Sequence, residues 1–217
     1  MKVVLITELN KDFGKKLAAV FTREKFKVYT VGEEQLNDVT CLPKDLKEAA
    51  AVVQKESGCI DIFIDTSDER SPLDNFNVRT GLNGDLIHKL YDANVIRPMA
   101  MFEAFFPMLE AGSEKRLCWL TSAEASINET FGTDGYGYKM AKAGLHNFLQ
   151  ITRNVLAPKG YTIRAFDPLY NDVSAELAAE AAFNYFTRRR GIEHDDDKRD
   201  DEYNLVFRDA YGRQHSW

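Results

Sequence analysis

Apolar and polar positions along the chain follow two different periods. Short runs of consecutive apolar residues, rich in β-branched and aromatic side chains, are typical of strands that are buried on both faces. Such runs lie at 3–7, 28–31, 60–64, 117–121, 161–166 and 204–207. Between them, apolar residues recur three and four positions apart, which predicts helices. These helical segments begin near Phe13 and extend over 44–54, 86–109 (with an interruption at Pro98), 137–156 and 173–186.

This alternation of strands and helices predicts the α/β class. Strands that are buried on both faces need helices on both sides, and right-handed crossovers between them give a parallel sheet. We therefore predict a doubly wound parallel sheet, the Rossmann fold, with about seven strands. A chain of 217 residues that is 44% hydrophobic suits one domain over 1–217. Residues 169–217 would form a short substrate-side region and a tail.

Composition and charge narrow the classes of partner. The chain has 28 Lys and Arg against 34 Asp and Glu, a formal net charge of -6. Binding a polyanion needs clustered positive charge, so we expect no nucleic-acid partner. No apolar run approaches the roughly 20 residues that cross a bilayer, and the first residues lack a signal-peptide pattern. We therefore expect a cytoplasmic protein without a membrane partner, with reduced cysteines at 41, 59 and 118.

Residues with catalytic chemistry follow the strand at 117–121. Ligands of doubly wound sheets bind at the carboxyl ends of the strands, where Thr121 and Ser122 lie. On the next helix, Tyr138 is the one tyrosine of nine with a lysine, Lys142, four positions later. A Tyr, a Lys and a Ser can together move a proton to or from a carbonyl or alcohol oxygen, because a nearby ammonium favours the phenolate. A nicotinamide would exchange the hydride, which no side chain supplies.

Several segments, in order from residue 3 to about 170, together resemble the short-chain dehydrogenase/reductase family. "LTSAEAS" is similar to the family's serine motif, and "YKMAKAGL" to its active-site helix. The resemblance implies that Ser122 is the catalytic serine, that Tyr138 is the acid/base, and that Lys142 binds the nicotinamide ribose and lowers the Tyr138 pKa. "YDANVIRPM" resembles the segment in which an asparagine, here Asn94, kinks the helix and supports a proton relay. The implied reaction interconverts a carbonyl and an alcohol of a small molecule with NAD or NADP.

The resemblance also implies a set of cofactor-binding residues. These are Thr7, Asn10, Gly14, Thr66 and Pro168, and Glu33 is added from its place after the second strand, although the resemblance would put the discriminating residue at Gly32. Pro168-Leu169, at the end of "APKGYTIRAFDP", takes the place of the family's Pro-Gly beside the nicotinamide. NAD is favoured because Glu33 or Glu34 could accept a hydrogen bond from a ribose hydroxyl, and no Arg or Lys follows the second strand there to pair with a 2'-phosphate.

The chain departs from the family at the glycine-rich turn. The family's Thr-Gly-x-x-x-Gly-x-Gly is matched at Thr7 and Gly14, whereas Glu8 and Asp12 replace the first two glycines. Carboxylates at these positions repel a phosphate. The segment after the fourth strand is also more acidic than the family's Asn-Asn-Ala-Gly, since it reads Asp65-Thr66-Ser67-Asp68. A second hypothesis is therefore a non-catalytic Rossmann-fold protein with a binding or assembly role.

Five further features give expectations of their own. The spacing between Ser122 and Tyr138 is about three residues longer than usual, which makes Ser126 an alternative to Ser122. The apolar run at 99–108 is expected to be mainly core, partly a subunit contact of a homodimer or homotetramer. The acidic segment 193–202 is expected to be a solvated loop, and the tail 209–217 is a candidate to close the site. The four histidines share no metal-ligand spacing, so we expect no metal site.

Overall fold

A computed structural model describes residues 1–9, 12–32, 36–188, 201 and 204–217. Its strands are β1 (Val3–Ile6), β2 (Lys27–Val31), β3 (Val39–Leu42), β4 (Ile62–Asp65), β5 (Arg116–Leu120), β6 (Thr162–Asp167), β7 (Phe207–Asp209) and β8 (Gln214–His215). Its α-helices are α1 (Asp12–Arg23), α2 (Leu46–Glu56), α3 (Gly84–Tyr91), α4 (Arg97–Ala111), α5 (Tyr136–Leu156) and α6 (Ala175–Thr187).

The strands form one sheet in the order β3-β2-β1-β4-β5-β6-β7-β8. Every neighbouring pair is parallel except β7 and β8, which form an antiparallel hairpin at the edge. The chain order reverses between β1 and β4, which is where ligands of this architecture bind. The predicted doubly wound Rossmann fold is therefore confirmed. Among the described residues the sheet has eight strands, one more than predicted. The sequence pattern missed β3, whose residues are mostly half-buried, and the two-residue β8.

Helices cover both faces of the sheet and bury two apolar layers. One layer packs α2, α4 and α5 on the sheet through residues such as Val53, Phe105 and Leu145. The other packs α1 and α6 through residues such as Leu17 and Ala182. Continuous apolar strands are required by this arrangement, since both of their faces are covered. The described helices include none that is both long and apolar enough to cross a membrane.

The helix predicted over 86–109 is interrupted before Pro98, not at it. A π-helical turn, Asp92–Ile96, joins α3 to α4, and the N–H of Arg97 returns to the carbonyl of Asp92. Pro98 lies in the first turn of α4, where its missing N–H costs no helical hydrogen bond. The interruption is centred on Asn94, the residue that the family resemblance predicts as the kink.

The C-terminal residues form a charged and partly buried edge of the sheet. Asp201 is 1% exposed and accepts hydrogen bonds from Arg208 Nε at 2.9 Å and from Arg188. The prediction of a solvated loop over 193–202 is therefore wrong at Asp201, because a buried carboxylate held by two guanidinium groups is a structural element. The rest of that acidic segment lies outside the described residues.

Candidate active site

The carboxyl ends of β4, β5 and β6 bring distant segments to one edge of the sheet. Ser122 follows β5 and caps a short 3-10 helix, Ala123–Ala125, by accepting from the N–H of Glu124 at 3.2 Å. Tyr138 and Lys142 lie one turn apart near the start of α5 and point to the same edge, 4% and 0% exposed. The structure thus brings together the serine, tyrosine and lysine that the sequence predicts as a set.

The start of α5 is fixed by a carboxylate from the loop after β4. Asp74 accepts hydrogen bonds from the backbone N–H groups of Gly137 and Tyr138 at 3.0 and 2.8 Å. These N–H groups belong to the first turn of the helix and have no partner within it. Asp74 therefore satisfies two orphan donors and places the Tyr138 side chain.

The Tyr138 hydroxyl is held by two charged residues of the same loop. It donates to Asp68 Oδ1 at 2.5 Å and accepts from Arg70 Nη2 at 2.8 Å. The Arg70 guanidinium also lies over the Tyr138 ring, 3.9 Å from its centroid. Arg70 Nη2 lies 3.5 Å from Ser122 Oγ as well, so the guanidinium connects the two hydroxyls at this end of the cleft.

Lys142 does not contact the Tyr138 hydroxyl. Its ammonium donates to the backbone carbonyls of Ser67 and Leu120 at 2.6 and 3.2 Å and lies 3.5 Å from Asp68 Oδ1. The Nζ atom is 5.9 Å from the Tyr138 ring centroid. The carboxylate of Asp68 thus lies between the lysine and the tyrosine.

The pKa of Tyr138 is shifted in the direction opposite to the expected one. Burial raises the pKa of this phenol well above its ordinary value, and the negative charge of Asp68 raises it further, while Arg70 acts in the lowering direction. The resemblance implied that Lys142 would lower the Tyr138 pKa. Burial also lowers the pKa of Lys142 itself, since it disfavours the ammonium.

Of the two serine candidates, Ser122 is the one in contact with the cleft. Its hydroxyl lies near Arg70, and the residue lines a cavity of about 400 Å³ with Asp68, Thr121 and Asp167. Ser126 is fully buried, and its hydroxyl accepts from the N–H of Glu129 at 3.1 Å. The Ser126 hydroxyl therefore stabilises its own loop.

Asn94 is buried in the π-helical turn and connects two segments. Its Oδ1 accepts from the N–H of Glu69 at 3.0 Å, and its Nδ2 donates to the carbonyls of Glu69 and Leu90, both at 2.9 Å. The asparagine therefore ties the loop carrying Asp68 and Arg70 to the helix. Its predicted part in a proton relay stays a prediction.

The turn after β1 is hydrogen-bonded to the loop after β4. Thr7 Oγ1 donates to Asp65 Oδ1 at 3.0 Å and accepts from the N–H of Thr66 at 3.1 Å. Thr66 Oγ1 in turn accepts from the N–H of Glu8 at 3.1 Å and donates to the carbonyl of Glu8 at 2.6 Å. The backbone N–H of Glu8, at the position of the family's first glycine, is thus bonded within the protein.

Gly14 is required by packing. A Cβ on this residue would lie 2.6 Å from the carbonyl oxygen of Glu8, closer than real contacts allow. The retained glycine is thus the one that lets α1 pack closely on the end of β1, which is the role of the third glycine in such turns. It is not itself evidence of a bound phosphate.

Asp65 is a fully buried carboxyl at the end of β4. Burial raises its pKa to about 6, against a lowering influence of Lys142. Its Oδ2 has no hydrogen-bond partner among the described residues. With this pKa the group is mostly ionised at pH 7 and takes up a proton as the pH falls through about 6.

A second cavity, of about 410 Å³, opens at the carboxyl ends of β1 and β2. Thr7, Glu8 and Gly32 line it, together with Lys44 and Arg97. Its place beside the chain reversal fits the adenosine half of a dinucleotide, and the two cations suit an anionic group there. Sequence reasoning missed both cations because it considered only the residues directly after β2. The expected preference for NAD over NADP therefore gains no support from the geometry.

The remaining predicted cofactor residues divide into two groups. Pro168 is buried at the end of β6, and Leu169 after it has a positive φ of 52°, a conformation that favours the glycine of the family motif. Asn10 and Glu33 lie outside the described residues, as does Glu34. The residue that sequence reasoning missed altogether is Arg70, whose one signal was its position shortly after a buried strand.

Comparison with known proteins supports the fold. No family model matches the chain. Two uncharacterized oxidoreductases of Schizosaccharomyces pombe are 25% and 24% identical to it over 131 residues, 60% of this chain and 50% of each relative. The chain therefore spans about half the length of the curated relatives that it matches.

Solved structures match over the whole chain at low identity. The carbonyl reductase Sniffer of D. melanogaster has a TM-score of 0.83 at 12% identity, covering 100% of both chains. An NADPH-bound carbonyl reductase from chicken fatty liver has a TM-score of 0.79 at 15% identity, and one from Pseudomonas aeruginosa in complex with NADP has 0.77 at 16%, each covering 100% of both chains. The fold implied by the sequence resemblance, that of the short-chain dehydrogenases/reductases, is confirmed.

Proposed function

We propose that this chain, with its short-chain dehydrogenase/reductase fold, is an NAD(P)-dependent oxidoreductase that interconverts a carbonyl and an alcohol on a small molecule. The carrying observation is that Arg70 Nη2 lies 3.5 Å from Ser122 Oγ and 2.8 Å from the Tyr138 hydroxyl. Both hydroxyls thus lie around one nitrogen atom of the cleft, and a substrate oxygen that contacts them would lie beside the guanidinium of Arg70, not in its place. Names of relatives that include "oxidoreductase" and "carbonyl reductase" agree with this class.

The chain's own residues have distinct parts in this proposal. In reduction, Tyr138 gives its hydroxyl proton to the carbonyl oxygen as a hydride reaches the carbonyl carbon, and solvent returns the proton to the phenolate. Ser122 holds that oxygen by a hydrogen bond. A nicotinamide dinucleotide, when bound, would supply that hydride. Thr7, Glu8, Lys44 and Arg97 line the cavity that would hold its adenosine half.

A non-catalytic binding role is the second candidate, and Glu8 favours it. The side chain is half-buried at the cavity, and its backbone N–H is already bonded to Thr66. A carboxylate facing a pyrophosphate costs affinity through like-charge repulsion. The two candidates therefore differ first in whether a dinucleotide binds.

Binding of the cofactor is the deciding measurement. NADH and NADPH are titrated into the protein while nicotinamide fluorescence and the thermal unfolding midpoint are followed. Binding of either is expected, and a Tyr138→Phe variant should keep that binding while losing turnover on a panel of aldehydes and ketones. No response to either dinucleotide at about millimolar concentration, a hundredfold or more above a typical micromolar Kd, would exclude the enzyme in favour of the non-catalytic role.

A further inference from the structure

Arg70, and not Lys142, is the cation in contact with the Tyr138 hydroxyl, although the resemblance implied that Lys142 would lower the Tyr138 pKa. The guanidinium both donates to the Tyr138 oxygen at 2.8 Å and lies over the ring, with its central carbon 3.9 Å from the ring centroid. Lys142 is fully buried, and its ammonium is bonded to two backbone carbonyls. The cation that touches the reacting oxygen is therefore the arginine.

Asp68 separates the lysine from the tyrosine. Its Oδ1 accepts the Tyr138 proton at 2.5 Å and lies 3.5 Å from Lys142 Nζ. The negative charge of Asp68 therefore offsets the positive charge of Lys142 and weakens the effect of the lysine on the phenol of Tyr138. In the family pattern this position carries a glycine, which has no side chain to intervene.

We propose that Arg70 is a catalytic residue that stabilises the Tyr138 phenolate in place of Lys142. The carboxylate of Asp68 compensates the positive charge of the lysine. The inference rests on the proposed function only in assuming that Tyr138 is the acid/base. A phenolate formed when Tyr138 gives up its proton is stabilised by a charge-assisted hydrogen bond from the Arg70 Nη2 and by the overlying guanidinium. Lys142 in this arrangement holds the Ser67 and Leu120 carbonyls and thereby the two strand ends.

The arginine itself is held in place from two sides. Arg70 Nη1 donates to Glu124 Oε1 at 2.6 Å, and Nε lies 3.5 Å from Asp68 Oδ2. A guanidinium presents its donors in a rigid planar fork, so these two contacts aim Nη2 at the tyrosine. The charged groups around the Tyr138 side chain are Asp68, Arg70, Glu124 and Lys142.

The test measures ionisation of Tyr138 without any cofactor or substrate. The reference is Asp68→Asn, which keeps the shape of the side chain and removes the charge that opposes ionisation. The phenolate of Tyr138 is followed by its ultraviolet absorbance, with the same variant carrying Tyr138→Phe subtracted, and circular dichroism defines the pH range in which the protein is folded. Tyr138 is expected to ionise within that range.

Three further substitutions, each in the Asp68→Asn background, decide between the cations. Adding Arg70→Gln should weaken the acidity of Tyr138 by about tenfold or more, which is the usual effect of removing an adjacent opposite charge. Adding Lys142→Met should change it less, and Arg70→Lys should recover part of the loss. A larger effect of Lys142→Met, or no ionisation of Tyr138 while the reference is folded, would overturn the proposal.

Measurements of turnover test the role of Arg70 a second time, independently of the titration. If the enzyme assignment holds, Arg70→Gln should lower kcat and move the pH dependence of kcat, while a variant with raised kcat/KM would show that Arg70 obstructs the site. If no variant turns over any carbonyl, the enzyme assignment fails, and the titration still decides which cation acts on Tyr138.

Discussion

At the scale of single residues, the turn after β1 separates two roles that a glycine-rich loop usually combines. Gly14 lets α1 pack on the carbonyl of Glu8, and that packing requirement is intact. Glu8 stands where the first glycine would be, lines the cavity and adds a negative charge. The packing of α1 therefore depends on Gly14, whereas the repulsion of a phosphate depends on Glu8. Each residue can be tested by its own substitution.

Removing the charge of Glu8 should tighten dinucleotide binding. Glu8→Gln keeps the length of the side chain and its backbone bonds to Thr66, but it removes repulsion of the phosphates. We expect the Kd for NADH or NADPH in a fluorescence titration to fall about tenfold, which corresponds to about 1.4 kcal/mol. Glu110→Gln, an exposed change at the far end of α4, is the control and should leave the Kd unchanged. An unchanged Kd in Glu8→Gln would show that the Glu8 carboxylate faces away from the phosphates.

Gly14→Ala should destabilise the fold even without cofactor. The new methyl group would meet the Glu8 carbonyl at 2.6 Å, so α1 must shift. Overpacking of this kind costs about 1–3 kcal/mol of unfolding free energy, measurable by urea denaturation. Gly84→Ala is the matched control, since nothing lies within 4 Å of its Cβ position, and it should be neutral or slightly stabilising. Equal stability of the two variants would contradict this packing role for Gly14.

At the scale of elements, the C-terminal hairpin and the residues after it are attached to the loop after β5 through His215, Ser216 and Trp217. His215 Nδ1 lies 2.9 Å from Glu129 Oε2, and Nε2 lies 3.0 Å from Asp209 Oδ2. The N–H of Ser216 also donates to Glu129 at 2.9 Å, and the ring of Trp217 lies 4.7 Å from that of His146. The tail was a candidate to close the substrate site, and what it contacts is the 126–130 loop that follows Ser122.

This attachment should weaken as the pH rises. Burial opposes the charge of His215, but its hydrogen bonds to Glu129 and Asp209 raise its pKa above the ordinary value. A raised pKa in the folded state means that the contribution is fully present below the ordinary pKa of about 6.5 and is lost as pH passes the folded pKa. Quenching of Trp217 fluorescence by acrylamide, isolated by subtracting a Trp217→Phe variant, should therefore increase toward alkaline pH. His215→Asn should show no such pH dependence, and a wild-type tail that is equally protected at all pH values would contradict this account.

At the scale of the whole molecule, an apolar groove between α4 and α5 is the candidate subunit contact. Phe102, Phe106 and Pro107 line it from α4, and Ile151, Val155 and Leu156 from α5, in a cavity of about 440 Å³. Ile151 and Val155 are 56% and 59% exposed. The apolar run at 99–108 was predicted to be partly core and partly interface, and Phe105 and Met108 are buried while Phe102 and Phe106 are only partly covered.

Charge placed in this groove should separate the subunits. Val155→Glu buries a carboxylate in any interface formed there, and its desolvation cost is several kcal/mol. Light scattering after size exclusion is expected to give a dimer or tetramer for the wild type and a monomer for Val155→Glu. Leu177→Glu, an equally exposed change on α6, should keep the wild-type mass. A monomeric wild type, or no effect of Val155→Glu, would exclude this contact.

The sequence by itself determined the fold class, most of the elements and the Ser122, Tyr138 and Lys142 set. The elements follow from periodicity, and the three site residues follow from the Tyr138–Lys142 spacing, the place of Ser122 directly after a buried strand and the family motifs, all of which are local features of the chain. The sequence pattern did not predict β3 and β8, because a short, half-exposed strand forms only when a neighbouring strand supplies its hydrogen bonds.

Only the tertiary structure decided what each charged group touches. Arg70 meets Tyr138 across 68 positions, and the charged residues of the two cavities come from separate elements, Asp68 after β4, Lys44 after β3 and Arg97 at the start of α4. Electrostatic interaction depends on distance and burial, and neither can be read from sequence separation. For this reason the sequence named the tyrosine, and the structure identified the cation beside it.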